Sequence, residues 1–186
     1  MRVPDCAAGQ ARVGVAIQIP EPWAGRLRAA RASFGDPHAA SVPPHVTLVP
    51  PTAVAKDQVG AVADHLAASC AGLAPFRLRL RGTGTFRPVS PVVFIQVAEG
   101  ISNCEQLEKL ARSGPLAQRL EFPYHPHVTV AHEVCEADLD RAFSALAGFE
   151  AVFTVDAFEL YCEDHAGVWR PVERIALAAR ASESSR

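Results

Sequence analysis

The chain has 186 residues, of which 49% are hydrophobic and 20% charged, with a formal net charge of −2. That composition belongs to a folded soluble domain with room for one sizeable core, and it excludes disorder over most of the length. The near-neutral charge excludes general coating of nucleic acid through bulk phosphate contacts, while leaving a small phosphorylated ligand compatible.

Gly14 to Ile19 reads as a short strand ended by Pro20, and Pro22 is placed to open a helix whose face is Trp23, Leu27, Ala30 and Phe34. Gly35-Asp36-Pro37 stops that helix, and Val42-Pro43-Pro44 delivers the chain extended into a strand at His45, with Pro50-Pro51 expected to close it. Val59, Val62, Ala63, Leu66 and Cys70 mark a second helical face. Phe76 to Phe86 and Val92 to Val97 read as two strands joined by a proline-containing turn. Ser102 to Glu105 has the form of a capping box for a third helix ending at Ser113-Gly114-Pro115. After a strand at His127, a fourth helix spans Asp138 to Ala147, with Leu139, Ala142, Phe143 and Leu146 inward. Two long strands, Ala151 to Cys162 and Trp169 to Ala178, close the order around a turn at Asp164-His165-Ala166-Gly167.

The most informative feature is a repeated tetrad: His45-Val46-Thr47-Leu48 returns 82 residues later as His127-Val128-Thr129-Val130. On a strand the period of two puts His and Thr on one face and the apolar pair on the other. Each copy offers an imidazole beside a hydroxyl, about 6–7 Å apart along the strand. Two copies together supply a general base, a general acid and two hydroxyl donors, a set suited to phosphoester chemistry without a metal. The preceding strands lie at similar offsets, so the chain reads as a duplication folded into two lobes about a pseudo-two-fold axis, which brings the tetrads together.

Other residues have plainer readings. Phe76, Leu78 and Leu80 alternate with Arg77, Arg79 and Arg81, giving one apolar and one basic face; the arginines bind phosphate or a nucleotide backbone if they share the open face with the histidines, or else guard a solvated edge. His125, His127 and His132 raise a metal reading, but no nearby carboxylate-rich set supports it, and no metal is expected; His125 fits either the rim of the site or a place behind the catalytic residues, supporting them. Phe86, Tyr124, Tyr161 and Trp169 are the aromatics available for stacking a base. Gly82-Thr83-Gly84 lacks the third glycine of a dinucleotide fingerprint, and neither a nucleophile elbow nor a Walker loop is present. The cysteines at 6, 70, 104, 135 and 162 fit no zinc knuckle or CxxC pair and read as mostly buried thiols in a reducing compartment. With no apolar run of membrane-spanning length and no signal-peptide stretch at the start, a cytoplasmic location is expected.

Pro44-His45-Val46-Thr47-Leu48 and Pro126-His127-Val128-Thr129-Val130 resemble the paired signatures of the two-histidine (2H) phosphoesterase superfamily, and within it the bacterial 2′-5′ RNA ligase-like proteins. The resemblance implies an α+β, bilobal fold with two antiparallel-rich sheets around a central cleft and helices outside. It divides the chain into an extension at 1–12, a single domain at 13–178 with halves of about 13–91 and 92–178, and a flexible tail at 179–186. It implies metal-independent opening of 2′,3′-cyclic phosphates at RNA ends or on small nucleotides, with no cofactor. His45 and His127 would form the acid/base pair, Thr47 and Thr129 would hold the phosphate, and Arg77, Arg79, Arg81, Tyr124 and His125 are further candidates for substrate contact. Related members often carry a basic residue soon after the second motif, where Ala131-His132 stands here. The alternatives are 2′-5′ RNA ligation, another cyclic phosphate in the same site, or a nucleotide or RNA-end binding module without turnover; the expected state is a monomer.

Overall fold

The computed structural model describes residues 6–164 and 167–179. Met1 to Asp5, the turn residues His165 and Ala166, and the tail beyond Ala179 lie outside the described residues; Ala179 itself forms an isolated bridge with Gly72. The elements run β1 (Gln10–Gln18), α1 (Trp23–Ser33), β2 (His45–Ala55), α2 (Val59–Ser69), β3 (Phe76–Thr85), β4 (Val92–Glu99), α3 (Ile101–Ala111), β5 (His127–His132), α4 (Glu136–Ala145), β6 (Glu150–Val155), β7 (Ala157–Glu163) and β8 (Trp169–Ala176). They build an α+β molecule with two four-stranded antiparallel sheets, β2-β1-β7-β8 and β5-β4-β3-β6.

The strand orders superpose β2 on β5, β1 on β4 and β7 on β3, so the duplicated pattern survives in space. Each sheet nevertheless takes strands from both parts of the sequence. β3, early in the chain, lies beside β4, whereas β7, late in the chain, lies beside β1. The helices cross over too, with α1 packing against β5 and α3 against β2. Val46, Leu48, Val128 and Val130, the apolar members of the tetrads, are all buried in the core. By alternation, His45, Thr47, His127 and Thr129 lie on the opposite face of each sheet and are half-buried.

Four local expectations change. The strand begun at His45 does not stop at Pro50-Pro51 but continues to Ala55. β2 is an edge strand, where a proline's missing N–H forfeits no ladder bond to a further neighbour, and the pair sits where the register slips between Val15↔Val49 and Val13↔Thr52. Helix α3 starts one residue before Ser102, behind a left-handed Gly100 with φ of 91°, so the capping box is not formed. The run from Ala151 to Cys162 is two strands in different sheets, broken at Asp156. Only Cys70 and Cys104 are buried thiols, pushed up by burial to about 11 and 12; Cys162 is half-buried, while Cys6 and Cys135 are exposed. Among the described residues no helix is long and apolar enough to cross a membrane.

Candidate active site

The two tetrad strands are edge strands of their sheets and lie against each other, β2 beside β5. Cross-ties hold them there. The Tyr124 hydroxyl donates to the Thr47 carbonyl at 3.0 Å, and the Gln118 amide donates to Thr52 Oγ1 at 2.9 Å. Tyr124 is therefore committed to joining the lead-in of β5 to β2, and burial pushes its phenol well above the ordinary range. A base-stacking role leaves that hydroxyl contact unexplained.

Each imidazole is fixed through the same ring nitrogen. Nδ1 of His45 bonds the Pro43 carbonyl at 2.8 Å, and Nδ1 of His127 bonds the His125 carbonyl at 2.7 Å. A carbonyl only accepts, so each neutral ring carries its proton on Nδ1 and leaves Nε2 with a lone pair for proton transfer. In both motifs the acceptor is two residues back across a buried proline, Pro44 or Pro126. Nε2 of His45 lies 3.1 Å from Thr47 Oγ1, so in the neutral state the hydroxyl donates to the ring.

Their surroundings differ. His127 is boxed by rings, with Phe86 edge-on at 4.9 Å between centroids and 88°, Phe94 at 5.1 Å, and His125 at 6.1 Å. Burial in this box, together with the charges of His125 and His45, lowers the His127 pKa to about 4 against the opposing bond to the His125 carbonyl. His45 is likewise lowered, by burial first and then by the charge of Arg31, against the bond to Pro43. A charge on His45 disfavours a second one on His127.

Register places further groups on the same faces. Gln18 pairs with His45 and Ala16 with Thr47 on β1; Glu159 then pairs with Ala16 on β7. The Gln18 amide donates to the Tyr161 hydroxyl at 2.6 Å, and that hydroxyl donates to Glu159 Oε2 at 2.6 Å, a polar chain beside the first tetrad. In the other sheet Gln96 pairs with His127 and Phe94 with Thr129.

Phe94 explains Gly84, its cross-strand partner. A Cβ at Gly84 would lie 2.5 Å and 2.6 Å from two Phe94 ring carbons, and that ring is already backed by Phe86 at 4.4 Å. Gly84→Ala is expected to cost about 1–3 kcal/mol and to shift the ring against which His127 rests. Urea unfolding checks it; an unchanged midpoint would show that the ring relaxes freely.

The arginine strand carries out only part of its expectation. With Leu78 and Leu80 buried, Arg77, Arg79 and Arg81 do face the other way. However, Arg77 pairs with Glu99 at 3.5 Å, Arg79 with Glu150 at 2.5 Å, and Arg81 stands opposite Glu150 in register. They lie on β3, two strands from His127, with carboxylates already beside them. His125 is an exposed rim residue whose ring meets Phe86 at 5.7 Å and Phe94 at 5.4 Å. His132 lies 3.9 Å from Glu133, which also meets His38 at 3.2 Å, and among the described residues no group of three or more His, Cys, Asp or Glu is arranged to hold a metal ion.

The chain resembles known proteins over most of its length. Residues 19–167 match the 2′-5′ RNA ligase superfamily. The chain belongs to that family. A protein of Bacillus licheniformis named "Putative phosphoesterase" is 32% identical over 148 residues, covering 77% of this chain and 86% of its own. The crystal structure of E. coli LigT complexed with 3′-AMP superposes with a TM-score of 0.65 at 22% identity, covering 91% of this chain and 99% of LigT, and so shares the fold. A further crystal structure, of a phosphoesterase, gives a TM-score of 0.61 at 26% identity, covering 90% of this chain and 98% of that one. Both tetrads fall within the matched residues.

Proposed function

We propose that this protein is a 2H phosphodiesterase that opens 2′,3′-cyclic phosphates at RNA ends or on small nucleotides without a metal. The observation that carries the reading is the pair of imidazoles on adjoining edge strands, each with Nδ1 bound to a backbone carbonyl and Nε2 unprotonated, that of His45 beside the Thr47 hydroxyl. One Nε2 takes a proton from water as its oxygen attacks phosphorus. The bond from phosphorus to one ribose oxygen breaks, and the other imidazole, protonated, delivers its Nε2 proton to that oxygen. The product is a ribose phosphomonoester. Thr47 and Thr129 donate to the non-bridging oxygens, where negative charge gathers.

Family membership, the phosphoesterase name of the B. licheniformis relative, and the 3′-AMP complex of LigT support a phosphoester of a nucleotide as the substrate class. The arginines' carboxylate partners are consistent with a short ligand held at the histidines rather than a long backbone tracked across the sheet.

The test is hydrolysis of an oligoribonucleotide ending in a 2′,3′-cyclic phosphate, in EDTA, by the wild type and a His45→Ala/His127→Ala double variant. Turnover by the wild type alone is expected. No turnover by the wild type, with tight binding of the oligonucleotide, would replace the enzyme by a binding module. Thr47→Val and Thr129→Val are each expected to lower kcat/KM by about 10- to 100-fold, the worth of a hydrogen bond to a charged oxygen. Steady-state kinetics check this, and a full-rate Thr129→Val protein would remove that hydroxyl from the phosphate site.

A further inference from the structure

The two histidines are supported by unlike devices, and the one behind His45 is a buried ion pair. Arg31, in the last turn of α1, and Asp36, just beyond that helix, are only 4% and 5% exposed. Arg31 Nε donates to Asp36 Oδ2 at 3.1 Å, and Asp36 Oδ1 accepts the His38 amide at 2.8 Å. Arg31 Nη1 reaches on to donate to the Val42 carbonyl at 2.8 Å. The next carbonyl along the chain is that of Pro43, the acceptor for His45 Nδ1–H.

Burying an ion pair is a poor way to gain stability, since desolvation offsets most of the attraction. What a guanidinium supplies is direction: a planar fork with donors at fixed angles, already charged at every working pH. Here one side of the fork is set by Asp36, so the other fixes the peptide immediately before the one that holds the imidazole. The same helix packs against β5, the strand of His127. α1 therefore rests on one motif strand while its last turn grips the lead-in of the other.

The second half has no counterpart at this place. Arg112 stands 15 residues before His127, much as Arg31 stands 14 before His45. It bonds Glu108 and the Gln118 carbonyl, however, and Gln118 is nine residues short of His127. There the aromatic box of Phe86 and Phe94 confines the imidazole instead.

We propose that Arg31 is a positioning residue for the phosphoesterase reaction: by locking the Val42-Pro43 segment, it makes the Pro43 carbonyl hold the Nδ1–H tautomer of His45 and keeps Nε2 for the reacting phosphate. The inference rests on the reading of His45 as a proton-transfer group. The positive charge of Arg31 acts in the same direction, because it opposes protonation of His45 in the free protein.

The experiment compares imidazole ¹⁵N spectra at pH 7.5 with steady-state kinetics for wild type, Arg31→Met and Arg31→Lys. Wild-type His45 should show a protonated Nδ1 and an unprotonated Nε2 that accepts from the Thr47 hydroxyl. Arg31→Met should show mixed tautomers and a kcat lower by about 10- to 100-fold with KM nearly unchanged, the pattern of a displaced catalytic group rather than lost binding. Arg31→Lys, which restores one donor, should recover part of both signals. A single wild-type tautomer and full kcat in Arg31→Met would overturn the proposal. If that variant does not fold, Asp36→Asn keeps the volume and the His38 contact while removing the counter-charge, and the same two readouts apply. A wild type with the Nδ1–H signature but no phosphoester turnover would refute the functional reading, and the tautomer comparison would still decide whether Arg31 sets the ring.

Discussion

Alanine at either His45 or His127 is expected to lower kcat by about 10²- to 10⁴-fold, with KM changed little, because each imidazole moves a proton only in the transition state. The fold should persist. Both side chains lie on the open face of their sheets, whereas the core beneath is made by Val46, Leu48, Val128 and Val130. Removing both histidines should cost little more than removing the worse one, since a single missing proton-transfer group already stalls the pair. The check is kcat for the two single variants and the double, alongside thermal melts. A His127→Ala protein with unchanged kcat would sink the paired mechanism, and strictly additive losses would mean that the two rings act in separate steps.

Much of this candidate site is legible in the sequence, for a physical reason. A tetrad with one apolar and one polar face states which residues enter the core and which face out, and its recurrence states that two such faces are related. That recurrence alone makes His45 and His127 the candidate pair. What escaped was whatever depends on register between distant strands. Phe94 and Gln96 join the second tetrad only because β4 lies beside β5, and Gln18 and Glu159 join the first only through β1 and β7. Gly82-Thr83-Gly84 fits no dinucleotide fingerprint, and the need for Gly84 exists only in space, where the Phe94 ring fills the room its side chain would take. Tyr124 and the three arginines were plausible ligand contacts by residue type, yet they are tied to a backbone carbonyl or set beside carboxylates. One error had a signal in the sequence. Ala151, Phe153 and Val155 alternate in one phase, while Phe158 and Leu160 alternate in the other, and that slip at Asp156 marks where the chain leaves one sheet for the other.

The kcat/KM profile should be bell-shaped with both limbs below pH 6.5. Productive encounter needs one neutral and one protonated imidazole, and both are held below their ordinary value in the free protein, His127 at about 4. Above the upper limb both rings are neutral, and kcat/KM should fall about tenfold per pH unit; the limbs belong to the pair rather than to either ring. A bound anionic phosphate favours the imidazolium, so the kcat profile should lie at higher pH than that of kcat/KM. Phe86→Ala opens one wall of the box around His127 and should move the profile up toward pH 6.5, whereas burial that survives without Phe86 would leave it in place. Stability carries the same sign. The unfolded chain protonates His127 near 6.5 and the folded chain only near 4, so the unfolded state binds more protons between those values. The stability this group confers is thus full above pH 6.5 and lost as pH falls toward 4, a loss that His127→Gln should reduce in urea titrations at pH 7 and pH 5, leaving the part of the same sign that His45 contributes. Limbs above 6.5 in the wild type would mean that the rings are wetter than their neighbours make them, and that the aromatic box does not set the chemistry.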